Sequence, residues 1–296
     1  MKNWNTLSLR FLFVSINEFL RKGWSPYYVE NVNRKGKLIG HRRASLNFAH
    51  YIKNQKYFER DDLIHEFFNF YCNNWENSRS SWAQDIFVFF FYQQIKPKSV
   101  ASNERKKFKY LDIGAWDGVT SSNTYSLSKL KEWSGCLVEP NKNAFRKLSI
   151  LRKNDQLINK AVVNSNFEKK IVNFWDDDMF SCIEGQSGND KHHSRRLNFR
   201  KAYPVQTIKI QKLLETRYDY LSLDIEGLEV ELIESLDFNK TQKPALITIE
   251  HNYKTESKAR ISELLYSQGY ESFLSEHDWL LRGDSWFYLK GFFNSI

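Results

Sequence analysis

The sequence predicts an α/β fold with a doubly wound, mostly parallel sheet. From Phe108 onward, short apolar segments alternate with segments of helical periodicity, which is the pattern of strands joined by crossover helices. The first apolar segment ends in an acidic, glycine-rich turn, Asp112 to Gly118. At the carboxyl end of a first strand, such a turn presents backbone N–H groups and a carboxylate to a nucleotide-like ligand. Together these observations favour a Rossmann-like domain.

Each secondary-structure element is predicted from the local pattern of apolar and polar residues. Apolar, β-prone segments predict parallel strands at 109–113, 135–139, 157–163, 218–224 and 245–250. Helical spacing of apolar residues predicts crossovers near 123–131, 144–153, 229–235 and 256–268, and a glycine follows the last of them. Further strands are predicted at 167–175 and 203–208, and a closing antiparallel pair at 270–274 and 286–289.

The first 80 residues predict a separate helical extension. Apolar residues recur at helical spacing from Leu9 to Leu20 and again from Leu63 to Tyr71. A polar stretch rich in Ser and Asn, 73–81, marks a plausible boundary. We therefore divide the chain into a helical N-terminal extension, residues 1–80, and a Rossmann-like domain, residues 81–296. The extension is expected to cap the domain or to form a homodimer.

Composition narrows the class of protein. Hydrophobic residues make up 41% of the 296 residues and aromatic residues 16%, enough for a large core. No run of about 18 or more apolar residues occurs, so no transmembrane segment is expected. The apolar segment 86–92 is predicted to be a buried helix or strand. The three cysteines, Cys72, Cys136 and Cys182, are widely spaced, which predicts reduced thiols, no zinc site and a cytoplasmic location.

The net charge of +9 is unevenly distributed along the chain. Residues 1–109 contain 19 Lys and Arg against 9 Asp and Glu. Basic surfaces attract polyanions such as nucleic acid, acidic lipid or phosphorylated small molecules, although charge of this kind can also serve solubility alone. A second basic cluster lies at 191–201. There we expect Arg195 and Arg196 to bind a phosphate or acidic sugar of the substrate; the alternative is a solvated surface loop.

The acidic turn favours a cationic ligand over a dinucleotide. Its glycines, Gly114 and Gly118, are spaced as G-x-x-x-G, and Asp112 and Asp117 would repel a pyrophosphate. A ligand with a cationic amino acid end and no phosphate, such as S-adenosylmethionine, fits better. Glu139 ends the second predicted strand, 27 residues after Asp112, where a carboxylate can accept hydrogen bonds from ribose hydroxyls.

Several ordered motifs resemble the FkbM family of S-adenosylmethionine-dependent methyltransferases. The similarity covers about residues 80–290 and is carried by the segments Ser81–Asp85, Asp112–Gly118, Ser122–Thr124, Val138–Asn141, Lys160–Val162, Asp219–Gly227 and Ile249–Asn252. One departure is Trp116, where the family commonly has Asn. A bulky ring at this position is expected to reshape the methionine end of the cofactor site.

The resemblance implies a cofactor, an activity and a set of site residues. The cofactor would be S-adenosylmethionine, and the reaction an O-methylation of a sugar hydroxyl in a nucleotide sugar or surface glycan precursor. The implied cofactor-binding residues are Asp112, Gly114, Asp117, Gly118, Asn123, Thr124, Glu139, Ala161 and Asp224. The acceptor would be a small molecule or glycan, with or without a phosphate.

Catalytic groups are expected at the carboxyl ends of the fourth and fifth strands. Asp224 is predicted to face the methyl-transfer centre, with Glu226 beside it. His251 is the predicted general base, because an imidazole titrates near neutral pH. The alternatives are a helix N-cap for Asp224 and a buried structural role for His251.

The same strand ends predict the contacts to the acceptor. Glu250 and Asn252 are expected to bind the substrate there. A divalent cation is not favoured, because one Asp and one Glu make a thin oxygen ligand set.

Two other functions remain open at this point. The basic first third suggests a nucleic-acid 2′-O-methyltransferase, but no RNA-binding motif is recognised and no specific nucleic acid is favoured. A non-catalytic binding module of the same fold is the second alternative. The intact cofactor acids Asp112, Asp117 and Glu139 argue against it.

Overall fold

A computed structural model describes residues 62–74, 77–95, 107–176, 181–184, 202–275, 281 and 283–291. Three predictions fall outside the described residues. They are the first N-terminal helix, Leu9 to Leu20, the homodimer contact, and the binding of a phosphate or acidic sugar by Arg195 and Arg196.

The described residues form eleven strands that build two sheets. The strands are β1 Phe108–Ile113, β2 Trp133–Val138, β3 Gln156–Ile158, β4 Ala161–Val163, β5 Ile171–Trp175, β6 Cys182–Ile183, β7 Ala202–Lys209, β8 Tyr220–Leu223, β9 Leu246–Glu250, β10 Tyr270–Phe273 and β11 Asp284–Leu289. The larger sheet has seven strands in the order β10-β11-β9-β8-β1-β2-β3. Strands β3, β2, β1, β8 and β9 run parallel, and β11 is antiparallel to β9 and β10. The predicted fold, a mostly parallel sheet with an antiparallel closing strand, is confirmed.

The predicted third strand, 157–163, is in fact two strands in two sheets. Strand β3 pairs with β2, whereas β4 pairs with β7 in a four-stranded sheet of order β4-β7-β5-β6. The chain changes sheets at Asn159, whose amide Nδ2 donates to the carbonyl oxygens of Glu139 at 2.7 Å and Pro140 at 3.2 Å. These long-range bonds interrupt an apolar segment that reads locally as one continuous strand.

The helices lie on both sides of the seven-stranded sheet. They are α1 Asp62–Asn74, α2 Gln84–Phe89, α3 Lys142–Leu151, α4 Ile210–Leu213, α5 Glu229–Glu234 and α6 Thr255–Ser267, and a π-helical segment, Phe90–Ile95, continues α2. Alternate residues of β1 enter two different cores. Tyr110 packs with the aromatic side chains of α1 and α2, and Leu111 with the aliphatic side chains of α5 and α6. The apolar segment 86–92 is buried and helical, which confirms the helix among the two predicted alternatives, helix and strand. None of the helices in the described ranges is long and apolar enough to cross a membrane.

The predicted helix at 123–131 does not form. The segment after β1, residues 114–126 and here called the β1 loop, leads only to a single 3-10 turn, Leu127–Lys129. The Ser122 hydroxyl accepts hydrogen bonds from the N–H groups of Thr124 at 3.3 Å and Tyr125 at 3.1 Å. Side-chain bonds of this kind compete with the helical backbone pattern. The β1 loop therefore keeps an irregular path beside the carboxyl end of β1.

Candidate active site

A cleft opens at the carboxyl ends of β1, β2 and β8 and reaches the second sheet. It encloses about 560 Å³ of space not occupied by atoms, part of which is open to solvent. Its walls come from Ile113, Gly114, Trp116, Val138, Glu139, Pro140, Ala161, Val162, Phe174, Ser181, Cys182, Ile183, Asp224, Ile225, Glu226 and Leu228. This is the edge at which parallel sheets of this type bind ligands.

The walls of the cleft divide by chemistry. An apolar part comes from the end of β2 and from strands β4, β5 and β6 of the second sheet. Its members include Ala161, Val162, Phe174 and Ile183. The polar part contains three carboxylates, those of Glu139, Asp224 and Glu226, and no Lys, Arg or His among the described lining residues. Such a cleft suits a ligand that is apolar at one end and positively charged at the other.

Gly114 allows the ends of β1 and β8 to touch. Its φ is +88°, and a Cβ added there would lie 1.7 Å from the carbonyl oxygen of Asp224. The Asp224 N–H donates to the Ile113 carbonyl at 3.0 Å, which fixes the same contact from the other side. Only glycine fits this position, because any side chain would force the two strand ends apart.

Glu139 lies at the floor of the cleft and is 5% exposed. Its Oε2 accepts from the Trp116 N–H at 2.8 Å, and its Oε1 from the Asn141 N–H at 2.6 Å. Burial raises the pKa of Glu139 to about 7. A carboxylate has about four acceptor positions, so Glu139 keeps free acceptor capacity for hydroxyl groups of a ligand. Its contact with ribose hydroxyls stays a prediction.

The two acids of the β1 turn support the loop and do not line the cleft. Asp112 is buried, and its Oδ2 accepts from the Thr124 hydroxyl at 2.6 Å. Asp117 accepts from the N–H groups of Val119 at 2.9 Å and Thr120 at 2.7 Å and thereby caps the following turn. The predicted cofactor contacts of these acids, and of Thr124, are therefore indirect in this geometry.

Two further residues of the β1 loop, Asn123 and Gly118, were predicted to bind the cofactor. The amide Nδ2 of Asn123 donates to the Ser222 hydroxyl at 3.0 Å, whereas its Oδ1 is buried and accepts no hydrogen bond from the described residues. Gly118 packs against α3, since an added Cβ would lie 2.4 Å from Leu148 Cδ1. Both residues hold the β1 loop against its neighbours, and the orphan oxygen of Asn123 is an acceptor still available to a donor.

Arg152 is a buried cation that ties the β1 loop to the sheet. The side chain pairs with Asp155 at 2.9 Å, and its guanidinium donates to the Gly118 carbonyl at 2.7 Å and the Tyr110 hydroxyl at 2.9 Å. The residue is only 2% exposed. Sequence analysis missed this role, because an arginine at the end of an amphipathic helix normally lies in solvent.

Three carboxylates meet at the ends of β8 and β9. Asp224, Glu226 and Glu250 each place an oxygen within 4.8 Å of the other two, and these oxygens could ligate a metal ion. Burial raises the pKa of Glu250 well above its usual range, and the negative charges of Asp224 and Glu226 raise it further. Burial also raises the pKa of Asp224, while a hydrogen bond from Glu250 opposes that shift. The interaction between the two carboxyl groups raises the pKa of Glu250 and lowers that of Asp224, so Glu250 holds a proton more strongly than Asp224 does.

The loop after β8 holds Glu226 in an unusual backbone conformation. Glu226 has φ +63°, and Gly227 follows with φ +124°. The buried carboxylate of Glu229 stabilises this loop, because its Oε1 accepts from the N–H groups of Ile225 at 3.0 Å and Gly227 at 3.1 Å. Non-glycine residues with positive φ concentrate where function requires them. Glu229 is thus a positioning residue that the sequence did not reveal.

His251 and Asn252 do not line the cleft. His251 is 4% exposed, and its backbone N–H donates to the Gly283 carbonyl at 2.7 Å, which holds the end of β9 to the segment before β11. Asn252 has φ +52°, and its Nδ2 lies 3.5 Å from Glu226 Oε2. His251 thus lies outside the cleft lining, and its role as the base stays a prediction, whereas Asn252 lies beside Glu226.

The second sheet contributes a wall that sequence analysis only partly found. Ala161 was expected in the cofactor site, but Val162, Phe174 and Cys182 were not expected there. Asn141 joins this wall to α3, because its Nδ2 donates to Asp176 at 2.8 Å and Ser181 at 3.1 Å. The split of the predicted third strand is what brings these residues to the cleft.

The described residues fit S-adenosylmethionine. The apolar wall around Ala161 and Phe174 suits an adenine ring, and Glu139 suits the ribose hydroxyls. Asp224 and Glu226 offer negative charge to the sulfonium and the amino group.

Comparison with known protein families gives one match. The family model for the methyltransferase FkbM domain matches residues 112–272, more than half of the chain. Among curated proteins, none matches the sequence.

Solved structures of similar proteins share little sequence with this chain. An FkbM methyltransferase from Methylobacillus flagellatus KT is 13% identical, with 83% of this chain and 61% of that chain covered and a TM-score of 0.40. Fibrillarin from Aeropyrum pernix, solved with natively bound S-adenosyl-L-methionine, is 14% identical, with 72% and 76% covered and a TM-score of 0.35. The chain thus spans less than two thirds of the FkbM structure's length.

Proposed function

The chain belongs to the FkbM methyltransferase family, and on that premise we propose that it is an O-methyltransferase that uses S-adenosylmethionine. The observation that carries the proposal is the lining of the cleft. Glu139, Asp224 and Glu226 line it together with an apolar wall, and no basic side chain is among its described lining residues. This charge pattern favours a cationic cofactor without phosphate groups.

The chain's own residues supply binding and proton transfer. S-adenosylmethionine supplies, when bound, a methyl group on a sulfonium that is already a good leaving group. Asp224 accepts the proton of the acceptor hydroxyl, because it lines the cleft and holds a proton less strongly than Glu250. Glu250 orients Asp224 through its hydrogen bond, and Glu226 accepts a hydrogen bond from the acceptor. We assign the proton acceptor to Asp224 rather than to His251, because His251 does not line the cleft.

The acceptor we propose is a sugar hydroxyl of a nucleotide sugar or surface glycan precursor. The family resemblance supports this class, and the basic residues Arg195 and Arg196 are proposed to bind its phosphate or acidic group. A cytoplasmic location is part of the proposal, since nucleotide sugars are made and used there. The buried Cys136 thiol is compatible with a reducing compartment.

Methyl transfer to a panel of nucleotide sugars tests the proposal. The assay uses S-adenosylmethionine labelled on the methyl group, with a short single-stranded RNA as the competing acceptor. We expect label on a sugar hydroxyl, and Asp224→Asn should lower kcat by about 100-fold, the effect of losing a positioned base. The affinity for S-adenosylmethionine should fall by a much smaller factor than turnover, because Glu226 still offers its negative charge to the cationic end of the cofactor.

The matched control is Asp237→Asn, which makes the same chemical change at a surface acid paired with Lys240 at 2.9 Å. This variant should keep full turnover. Full turnover should also survive EDTA, because the proposed reaction needs no divalent cation. Label found on RNA alone, or an Asp224→Asn variant as active as the wild type, would contradict the proposal.

A further inference from the structure

Trp116 has a backbone conformation that a tryptophan rarely adopts. Its φ is +50°, in the left-handed region, which costs an ordinary residue roughly 1–2 kcal/mol. The N–H of Trp116 donates to Glu139 Oε2 at 2.8 Å, and this bond holds the strained backbone in place. A strained, bulky residue at a ligand cleft indicates that its side chain has a task there.

Trp116 is one of the residues that line the cleft. Trp116 lies two residues after Gly114, and Gly114 touches the backbone of Asp224 so closely that no side chain fits between them. The β1 loop and the loop after β8 therefore form one continuous wall, which also includes Glu226. The cationic end of a ligand is expected at this wall, because the carboxylates are there.

We propose that the Trp116 ring binds the positively charged sulfonium of S-adenosylmethionine and so discriminates it from the neutral S-adenosylhomocysteine; this inference rests on the proposed function. The face of an indole ring attracts cations more strongly than any other side-chain ring. Methyl transfer removes the sulfonium charge, so the ring would hold the substrate form of the cofactor and not its product. Product release is favoured as a result.

Calorimetric titration of the two cofactor forms tests this role without any turnover. S-adenosylmethionine and S-adenosylhomocysteine are each titrated into the wild type, Trp116→Leu, Trp116→Asn and Trp116→Phe. In the Leu and Asn variants we expect the preference for S-adenosylmethionine to fall by about 3- to 30-fold, the range of a cation–π contact. Trp116→Phe should keep part of the preference, because a phenyl ring retains a weaker quadrupole.

The two ring-free variants separate the ring from the backbone strain. Leucine retains the cost of positive φ, whereas asparagine tolerates that conformation, so Trp116→Asn should melt at a higher temperature than Trp116→Leu. Their cofactor preferences should nevertheless be alike. An unchanged preference in both variants, or an equal loss of affinity for both cofactor forms, would overturn the inference and leave the proposed function standing. A wild type that binds neither form would overturn both.

Discussion

Gly114→Ala should lower turnover by about 100-fold or more, the effect of displacing a site by about 1 Å. The new Cβ would lie 1.7 Å from the Asp224 carbonyl oxygen and 2.8 Å from its carbon. Both are backbone atoms, so the end of β1 must move away from the end of β8. Because Asp224 and the β1 loop share the cleft, cofactor affinity should fall together with turnover. Calorimetry and the methyl-transfer assay measure the two effects.

Gly269→Ala is the matched control for this substitution. Gly269 has φ +84°, close to the +88° of Gly114, but nothing lies within 4 Å of its added Cβ. It therefore carries the same backbone penalty without the clash, and its turnover should remain near that of the wild type. If Gly114→Ala is no worse than Gly269→Ala, the close contact between the two strand ends is not what shapes the site.

Arg152→Met should lower the free energy of unfolding by about 3–5 kcal/mol, the typical cost of breaking a buried ion pair. The substitution removes the partner of Asp155 and the donor to the Gly118 carbonyl, and both acceptors would remain buried. The β1 loop should loosen as well, because the guanidinium also bonds the Thr124 hydroxyl at 3.2 Å. Urea denaturation gives the stability change, and calorimetry gives the accompanying loss of cofactor affinity.

Arg146→Met is the control, because Arg146 is an exposed residue on the same helix. Its effect should stay within about 0.5 kcal/mol, as for most surface substitutions. Adding Asp155→Asn to Arg152→Met should recover part of the lost stability, since it removes the uncompensated charge. A loss below about 1 kcal/mol for Arg152→Met would mean that water replaces the guanidinium and that the loop does not depend on it.

The sequence predicted the parts of the site that follow from strand ends. Glu139 and Asp224 each come directly after a strand, β2 and β8, and parallel strands bring their carboxyl ends to one edge. Gly114 was predicted for the same reason. Topology alone therefore placed the cleft, without any knowledge of side-chain contacts.

Long-range contacts account for what the sequence did not predict. The helix expected at 123–131 does not form, because hydrogen bonds of Ser122, Thr124 and Arg152 hold the segment in another conformation. Arg152 is 28 residues from Thr124 in the chain. The strand expected at 157–163 divides because Asn159 bonds the backbone of the previous strand end. No local pattern of apolar residues contains this information.

Side-chain direction also limits what the sequence can assign. His251 follows β9 immediately and was therefore expected among the catalytic groups, yet it is buried outside the lining of the cleft. Asp112 lies inside β1, and its carboxylate is directed to Thr124 beneath the β1 loop. A position at a strand end brings a residue to the edge of the sheet, but packing decides which way it faces.

We infer that this cleft binds S-adenosylmethionine through ionised Glu139. Calorimetric titration of S-adenosylmethionine into the protein at pH 6 and at pH 8 tests this inference. The pKa of Glu139, raised by burial to about 7, means that the carboxylate gains its charge as the pH rises through this interval. Ribose hydroxyls donate to the charged form, so the wild type should bind about tenfold more tightly at pH 8 than at pH 6. Glu139→Ala should weaken binding by about 1.5–3 kcal/mol at pH 8 and remove the pH dependence.

Thermal melts run in parallel show whether the variant is folded, since Glu139→Ala also frees the N–H groups of Trp116 and Asn141. The exposed Glu168→Ala serves as the control and should behave as the wild type does. We expect the wild type to bind S-adenosylmethionine measurably, and more strongly at pH 8 than at pH 6. The Glu139→Ala variant should be folded and should bind it weakly at both pH values. Binding of equal strength by the wild type and Glu139→Ala, or no binding by the wild type at either pH, would contradict this inference.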